Sequence, residues 1–374
     1  MGEQPALNLF FCGDVMTGRG IDQVLPHPGD PALHERYIHD ARDYVGLAKS
    51  ANGPIVRPVS FEYIWGDALR ELDEANPDLR IVNLETSITT SDEFWPRKPV
   101  HYRMHPQNVG CLTAARIDCC CLANNHVLDW GYPGLIETLQ TLESSSLRYA
   151  GAGRNVDNAM QPARLETSAK GRVLVFSVGS ETSGIPPEWA AAGDKPGVFL
   201  LDSLSEGSAA LLAEKIARTR QPGDVAVASI HWGSNWGYEI PAALVRFAHR
   251  LVDDGVDLVH GHSSHHVRPL EIYRGKLILY GCGDFITDYE GISGYESYKG
   301  GLALMYLARI NVCSGELTEL RLVPMQSRRF RLTRVFGPDA EWLCTMLNRE
   351  GRRFNTALRL TDDDAITLRS AQII

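Results

Sequence analysis

No run of residues in this chain is long and apolar enough to span a bilayer, so no transmembrane helix is expected. The opening residues, Met1 to Phe10, hold no basic n-region and no apolar h-region. Ala6 also stands where a myristoylation pattern needs Ser or Thr. These absences point to a cytoplasmic protein with no membrane among its partners. Aromatic residues are nowhere interleaved with basic ones, and the formal charge is −9, which excludes nucleic acid as the main partner. Cys-x-x-Cys pairs are missing from the 8 cysteines. The adjacent Cys119, Cys120 and Cys121 therefore read as reduced core thiols, not as a metal or redox site. Gly18-Arg19-Gly20 lacks the spacing of a nucleotide-binding loop, and no internal repeat is visible.

What the 374 residues do contain is an alternation of apolar runs with amphipathic helical windows, the pattern of an α/β fold. Strands are expected at Leu7 to Val15, Leu79 to Leu84, Ile117 to Ala123, Arg172 to Val178, Asp224 to Ile230 and Asp257 to His260. Helices are expected at Phe61 to Ala75, Gly131 to Ser144, Leu204 to Arg218 and Pro241 to Asp253. A hairpin over Leu270 to Tyr280 turns at Arg274-Gly275, and strands follow at Gly301 to Asn311, Glu316 to Pro324 and Arg328 to Val335. This antiparallel end, 270–335, is expected to supply the second sheet of a two-sheet sandwich. Residues 22–58 show little periodicity and read as a lid loop or an insertion. The expected organisation is one domain over 1–335 and a helical extension over 336–374, its helix at Pro338 to Glu350.

Five islands of ligand chemistry lie at the ends of expected strands: Gly13-Asp14, Asn83-Leu84-Glu85, Asn124-Asn125-His126, His231-Trp232-Gly233 and the run from His260 to His266. In an α/β sheet the strand C-termini open onto one edge, so polar side chains placed there converge. One metal centre assembled by the fold is the expectation.

The chain resembles the CapA/PgsA group, named for poly-γ-glutamate capsule synthesis, over roughly residues 7–290. The motifs that carry the resemblance are Asn83-Leu84-Glu85-Thr86, Ala123 to Asp129, His231-Trp232-Gly233 and Tyr280 to Phe285. The resemblance implies a calcineurin-like four-layer α-β-β-α sandwich with mixed sheets. Set against the metallophosphoesterase pattern, Asp14 matches the first carboxylate, but Met16 stands where the first motif needs His. Glu85 replaces the bridging Asp, and Ile88 replaces the second Asp of that motif. Asn125 and His126 match the amide ligand and the catalytic imidazole, and His231 and His262 match further ligands. Ser264 stands where a last His is expected, with His265 one residue late.

The resemblance thus implies one divalent ion on Glu85, Asn125, His231 and His262, with Asp14 and His265 freed from ligation or only weakly ligating. Oxygen ligands favour Ca²⁺, Mg²⁺ or Mn²⁺; the two His draw toward Zn²⁺ or Fe²⁺. No organic cofactor is expected. Acid/base pairs are expected from His126 with Asp129, and from His265 or His266 with Asp14 or Asp284. Trp95, Arg97, His101, Arg103 and Trp232 are candidate substrate contacts, with ordinary packing or a place on the surface as the competing reading.

Two acid/base pairs on opposite sides of a substrate suit Cα epimerisation of a peptide, as in the CapA-like enzymes that mature lasso-type precursor peptides. The expected partner is accordingly a peptide substrate. The alternatives are a metal-dependent hydrolase of a phosphoester, γ-glutamyl or other amide bond, and a component of poly-γ-glutamate capsule biosynthesis.

Overall fold

The computed structural model describes residues 5–167 and 171–369; residues 1–4 and 370–374 of the expected terminal segments lie outside them. The strand Ala6–Val15 is almost wholly apolar and becomes the spine of a 10-stranded mixed sheet. On one side it runs parallel to Leu79–Leu84, followed by Cys119–Cys121 and Arg148–Ala150. On the other it pairs antiparallel with Leu302–Asn311, which pairs in turn with Leu317–Arg328. A 7-stranded sheet holds Gly171–Ser180, Val225–His231 and Leu258–His262, all parallel, with an antiparallel hairpin at its edge.

Alternation along the strands decides what lies between the layers. Leu9, Phe11 and Ile81 of the first sheet share one core with Val173, Val227 and Leu258 of the second. Phe10 and Val82 face the other way, onto helix residues Leu72 and Leu139. On the far side of the second sheet, Leu174 and Val259 pack on Leu212 and Leu251 of the helices Glu206–Thr219 and Ala242–Asp253. Each such fully buried Leu, Val or Phe stabilises the fold by roughly 1.5–3 kcal/mol. The three adjacent cysteines obey the same alternation: Cys119 and Cys121 face the space between the sheets and Cys120 faces the helices, all as free thiols. Among the described residues no helix is long and apolar enough to cross a membrane.

The antiparallel end does not form one sheet, as its sequence suggested. Leu270–Tyr273 and Lys276–Leu279 extend the second sheet, whereas Leu302–Asn311, Leu317–Arg328 and Arg331–Arg334 belong to the first. The free edge of the apolar strand Ala6–Val15 captures the longer apolar strand, and nearness in sequence is overridden. The chain changes sheets at Gly281-Cys282-Gly283. There Asp14 N–H donates to the Gly283 carbonyl at 2.8 Å, and a Cβ on Gly13 would fall 1.7 Å from that oxygen. Glycine at 13 is therefore a requirement of the crossing.

Two local expectations also change. The helix anticipated from Phe61 begins only at Asp67, because Gly66 takes φ +48 and lies against the Leu332 carbonyl. Residues 22–58 are not a bare loop: they contain the helix Arg42–Asn52, which buries Tyr44, Val45 and Ala48. Asp22 staples the start of this segment by accepting from Gly29 N, His105 N and Asn108 Nδ2 at 2.7–2.8 Å. Beyond the helix Pro338–Gly351, the C-terminal segment adds the strands Leu358–Leu360 and Ile366–Leu368 to the edge of the first sheet.

Candidate metal centre

Strand register brings the islands together. Asp14 lies level with Asn83 on one neighbour and Asp284 on the other. His231 lies level with His262 across the second sheet. Side chains at the C-terminal ends of both sheets therefore meet in one place, and Asp14, Asn83, His231 and His262 are all almost fully buried there. Polar groups so deep need partners or an ion.

Asp14, His231 and His262 offer ligand atoms that all lie within 4.8 Å of one another. Asn125 Oδ1 is 3.1 Å from His231 Nε2, and Glu85 Oε1 is 4.0 Å from the same nitrogen. The structure thus groups Asp14 with the candidate ligands His231 and His262, where the sequence analysis had it free or weakly ligating, and keeps Glu85 and Asn125 beside them. Asn83 Nδ2 donates to Asp14 Oδ1 at 2.7 Å, and Asn124 Nδ2 donates to Asn83 Oδ1 at 3.1 Å. Asn124 Oδ1 accepts from the backbone N–H groups of His126 and Val127, which forms the turn that aims Asn125 and His126.

The donor set suits a divalent cation. Burial first, then the neighbouring positive groups, holds His126, His231 and His262 well below the usual imidazole range. They are neutral, the form that ligates. Burial pushes the Asp14 carboxyl up to about 6. Burial, and then the charge of Asp14, pushes Glu85 well above the usual carboxylate range. Two facing carboxyls in a dry pocket resist ionising together, and a cation between them removes that penalty.

Two His–Asp dyads flank the group. His126 Nδ1 lies 2.6 Å from Asp129 Oδ2, and Lys98 Nζ pairs with the other carboxylate oxygen at 2.6 Å. This leaves His126 Nε2 facing Glu85 Oε1 at 3.8 Å. On the opposite rim His265 Nδ1 lies 3.0 Å from Asp284 Oδ1. His266 turns away: its Nδ1 meets the Val267 carbonyl and its ring packs on Tyr238 and Trp236, so it takes no part in the centre.

The candidate substrate contacts divide. Trp232 is fully buried, donates to the Tyr280 carbonyl at 3.0 Å and packs on Phe247; it is core. Arg103 is committed to Asp92 at 2.9 Å and stacks over Trp130 at 3.7 Å. His101 is buried and held by the Trp95 carbonyl at 2.8 Å, with Trp95 edge-on to Trp189. Arg97 is exposed, and its backbone is left-handed at φ +64.

Sequence reasoning missed Lys98 as a site residue and missed a buried support around Arg19. Arg19 pairs with Asp288 at 2.5 Å and Glu35 at 3.0 Å, and its guanidinium lies 3.8 Å over the Tyr44 ring and 4.7 Å over the Tyr102 ring. Tyr102 stacks on His126 at 3.7 Å and hydrogen-bonds Tyr289, whose ring is edge-on to His265. The signal available was an arginine between two glycines, at φ +46 in the fold.

The islands lie within a stretch that matches a known family. The family model described as "Bacterial capsule synthesis protein PGA_cap" matches residues 8–289. The chain is 48% identical to a probable polyglutamine synthesis accessory protein of Mycobacterium tuberculosis H37Rv, covering 98% of this chain and 96% of that one. It is 24% identical to the capsule biosynthesis protein CapA of Bacillus anthracis, over 91% of this chain and 76% of the relative. It is also 24% identical to the PGA biosynthesis protein CapA of Bacillus subtilis, over 75% and 63% of the two chains.

Proposed function

We propose, because the chain belongs to the bacterial capsule synthesis protein PGA_cap family, the CapA/PgsA group, that it is a metal-dependent accessory enzyme of glutamyl-polymer biosynthesis that hydrolyses an amide bond of the polymer. The observation that carries this reading is the convergence of Asp14, His231 and His262 beside the His126–Asp129 dyad. The succession of cores, helix to sheet to sheet to helix, supports a calcineurin-like four-layer sandwich as its scaffold. The named relatives favour capsule-polymer biosynthesis over Cα epimerisation of a ribosomal peptide.

Asp14, His231 and His262, with Glu85 and Asn125 beside them, would hold the ion. When bound it supplies Lewis-acid polarisation of a carbonyl oxygen. The remaining work falls to the protein. His126, kept neutral by burial and Lys98, is set to take at Nε2 the proton of a water whose oxygen bonds to the carbonyl carbon, and to return it to the amine nitrogen as the C–N bond breaks. Asp129 fixes its tautomer through Nδ1, and Lys98 fixes Asp129. Stacking by Tyr102 stops the ring from turning.

A synthetic γ-glutamyl oligomer incubated with metal-loaded protein is expected to yield new amino termini. Chelation, or His262→Ala, is expected to stop the release. A metal-loaded protein that leaves both γ-glutamyl and glutaminyl oligomers intact sinks the proposal. Deuterium uptake at Cα without cleavage would put epimerisation in its place.

A further inference from the structure

The outer part of the first sheet carries a charge pattern that the metal centre does not use. On a chain of formal charge −9, residues 328–334 contain four arginines, Arg328, Arg329, Arg331 and Arg334, and 325–337 contain no acidic residue. Arg329 and Phe330 both take left-handed backbone, φ +57 and +56. Their N–H groups are held by the Glu290 carboxylate at 2.7 and 2.6 Å. The turn is thus pinned through its backbone, which leaves the guanidiniums of Arg328 and Arg329 outward. Among the described residues neither forms an ion pair; Arg328 reaches only the Asn52 side-chain oxygen, at 3.2 Å. Arg334 is spent on Glu71, and Arg331 lies 3.8 Å from Asp67.

These arginines line a cavity of about 600 Å³ that shares Asn52, Gln326 and Asp339 with a second of about 650 Å³. The inner wall of the second is His265 and Asp284, the open rim of the metal centre. Glu290, which pins the arginine turn, belongs to that same wall. The two cavities therefore adjoin, one lined by the unpaired arginines and the other by the rim of the centre.

We infer that Arg328 and Arg329 form a docking track for a carboxylate-bearing polymer, which holds the chain while one of its bonds lies at the metal centre. This rests on the proposed function for the identity of the polymer. Guanidinium groups receive carboxylates in paired hydrogen bonds, and a repeating anion engages several in turn, so individually weak surface contacts add up. The second cavity itself holds Glu290, Glu296 and Asp339, with Lys299 taken by Asp339 at 2.7 Å. It therefore offers no second cationic seat, and the anionic tail is expected on the arginine side.

The test is fluorescence anisotropy with labelled poly-γ-glutamate on the full chain. Binding is expected to weaken as salt rises from about 50 to about 300 mM, as screened charge contacts do. Arg328→Glu with Arg329→Glu is expected to weaken it by about tenfold or more, while the double lysine variant, which keeps the charge but loses the paired hydrogen bonds, is expected to fall between that variant and wild type. Salt-independent binding, no binding by the wild type, or equal binding by the charge-reversed variant overturns the track. So does tighter capture of a single-stranded DNA oligomer, which would make phosphate the preferred anion. Asp14→Asn separates this inference from the catalytic one. If that variant still captures polymer, the track stands whatever happens to hydrolysis; if it loses capture as fully as the charge reversal, the polymer is held at the centre and the track falls.

Discussion

The two His–Asp dyads on either side of the metal centre use the same two residue types, yet their imidazoles shift in opposite directions. His126 is buried, and burial together with Lys98 and Arg19 holds it well below the usual imidazole range. For His265 burial also lowers the pKa, but the charge and hydrogen bond of Asp284, with the charge of Asp14, overcome it and leave His265 above that range. A lysine against Asp129 makes the difference on the first rim, because it spends that carboxylate before the imidazole can be charged by it. Among the described residues no lysine or arginine pairs with Asp284, and its dyad lines the cavity beside the site. A His–Asp pair is therefore not a unit of function; the surrounding charges decide in which direction its imidazole shifts.

The largest effect should erase this contrast. His262→Ala removes a ligand common to both rims, and hydrolysis is expected to fall by at least about 10³-fold with loss of bound metal by ICP-MS. Full activity in a metal-free preparation would break the whole scheme. Next comes the contrast itself. His126→Ala is expected to cost about 10²–10⁴-fold in kcat, as loss of a general acid/base does. His265→Ala should cost less, with KM affected more than kcat, because His265 borders the entry cavity. A larger kcat loss at His265 would reverse the assignment of roles.

Much of this centre was legible in the sequence because strand ends leave little freedom. Asp14, His231 and His262 sit in strands that set them level with Asp284, Asn83 and one another within each sheet, while Glu85 follows its strand directly and Asn125 sits in the turn that Asn124 builds. The parallel strands were legible for the same reason. What failed was anything set by pairing across long separations. The capture of Leu302–Asn311 by the edge of Ala6–Val15 depends on Gly13 and Gly283 passing within contact, which no local pattern announces. His266 reads like His265 in sequence, yet a loop does not keep strand alternation and turns it onto Tyr238. Trp232 sits beside a ligand but on the opposite face of its strand, so it packs as core. Lys98 and Arg19 were hidden in segments without periodicity, and only the fold shows what they touch.

Lys98 offers a sharper test of the comparison. Lys98→Met removes the charge that helps hold His126 low, so its titration followed by NMR is expected to rise toward about 6.5, the ordinary imidazole value. The acid limb of the rate profile should move up with it. A titration that stays put would mean that burial and the other neighbouring charges, Arg19 among them, hold His126 low without Lys98.

The smallest effect should come from Asp284→Asn, and its sign is what matters. A histidine whose folded pKa is raised stabilises the fold fully below its unfolded value, about 6.5, and that contribution is lost as pH rises through the folded pKa. Asp284 is the group that raises His265. The variant should therefore melt earlier than wild type in mildly acidic buffer, and the gap in Tm should close as pH rises past the folded pKa of His265. His126, whose folded pKa is lowered, contributes with the opposite sign: its share is present above about 6.5 and lost as pH falls. Asp284→Asn reaches that share only indirectly, through the charge of His265. A Tm difference that is flat with pH would show that Asp284 supports the rim through hydrogen bonding and packing alone, and the two dyads would then differ in shape and not in charge.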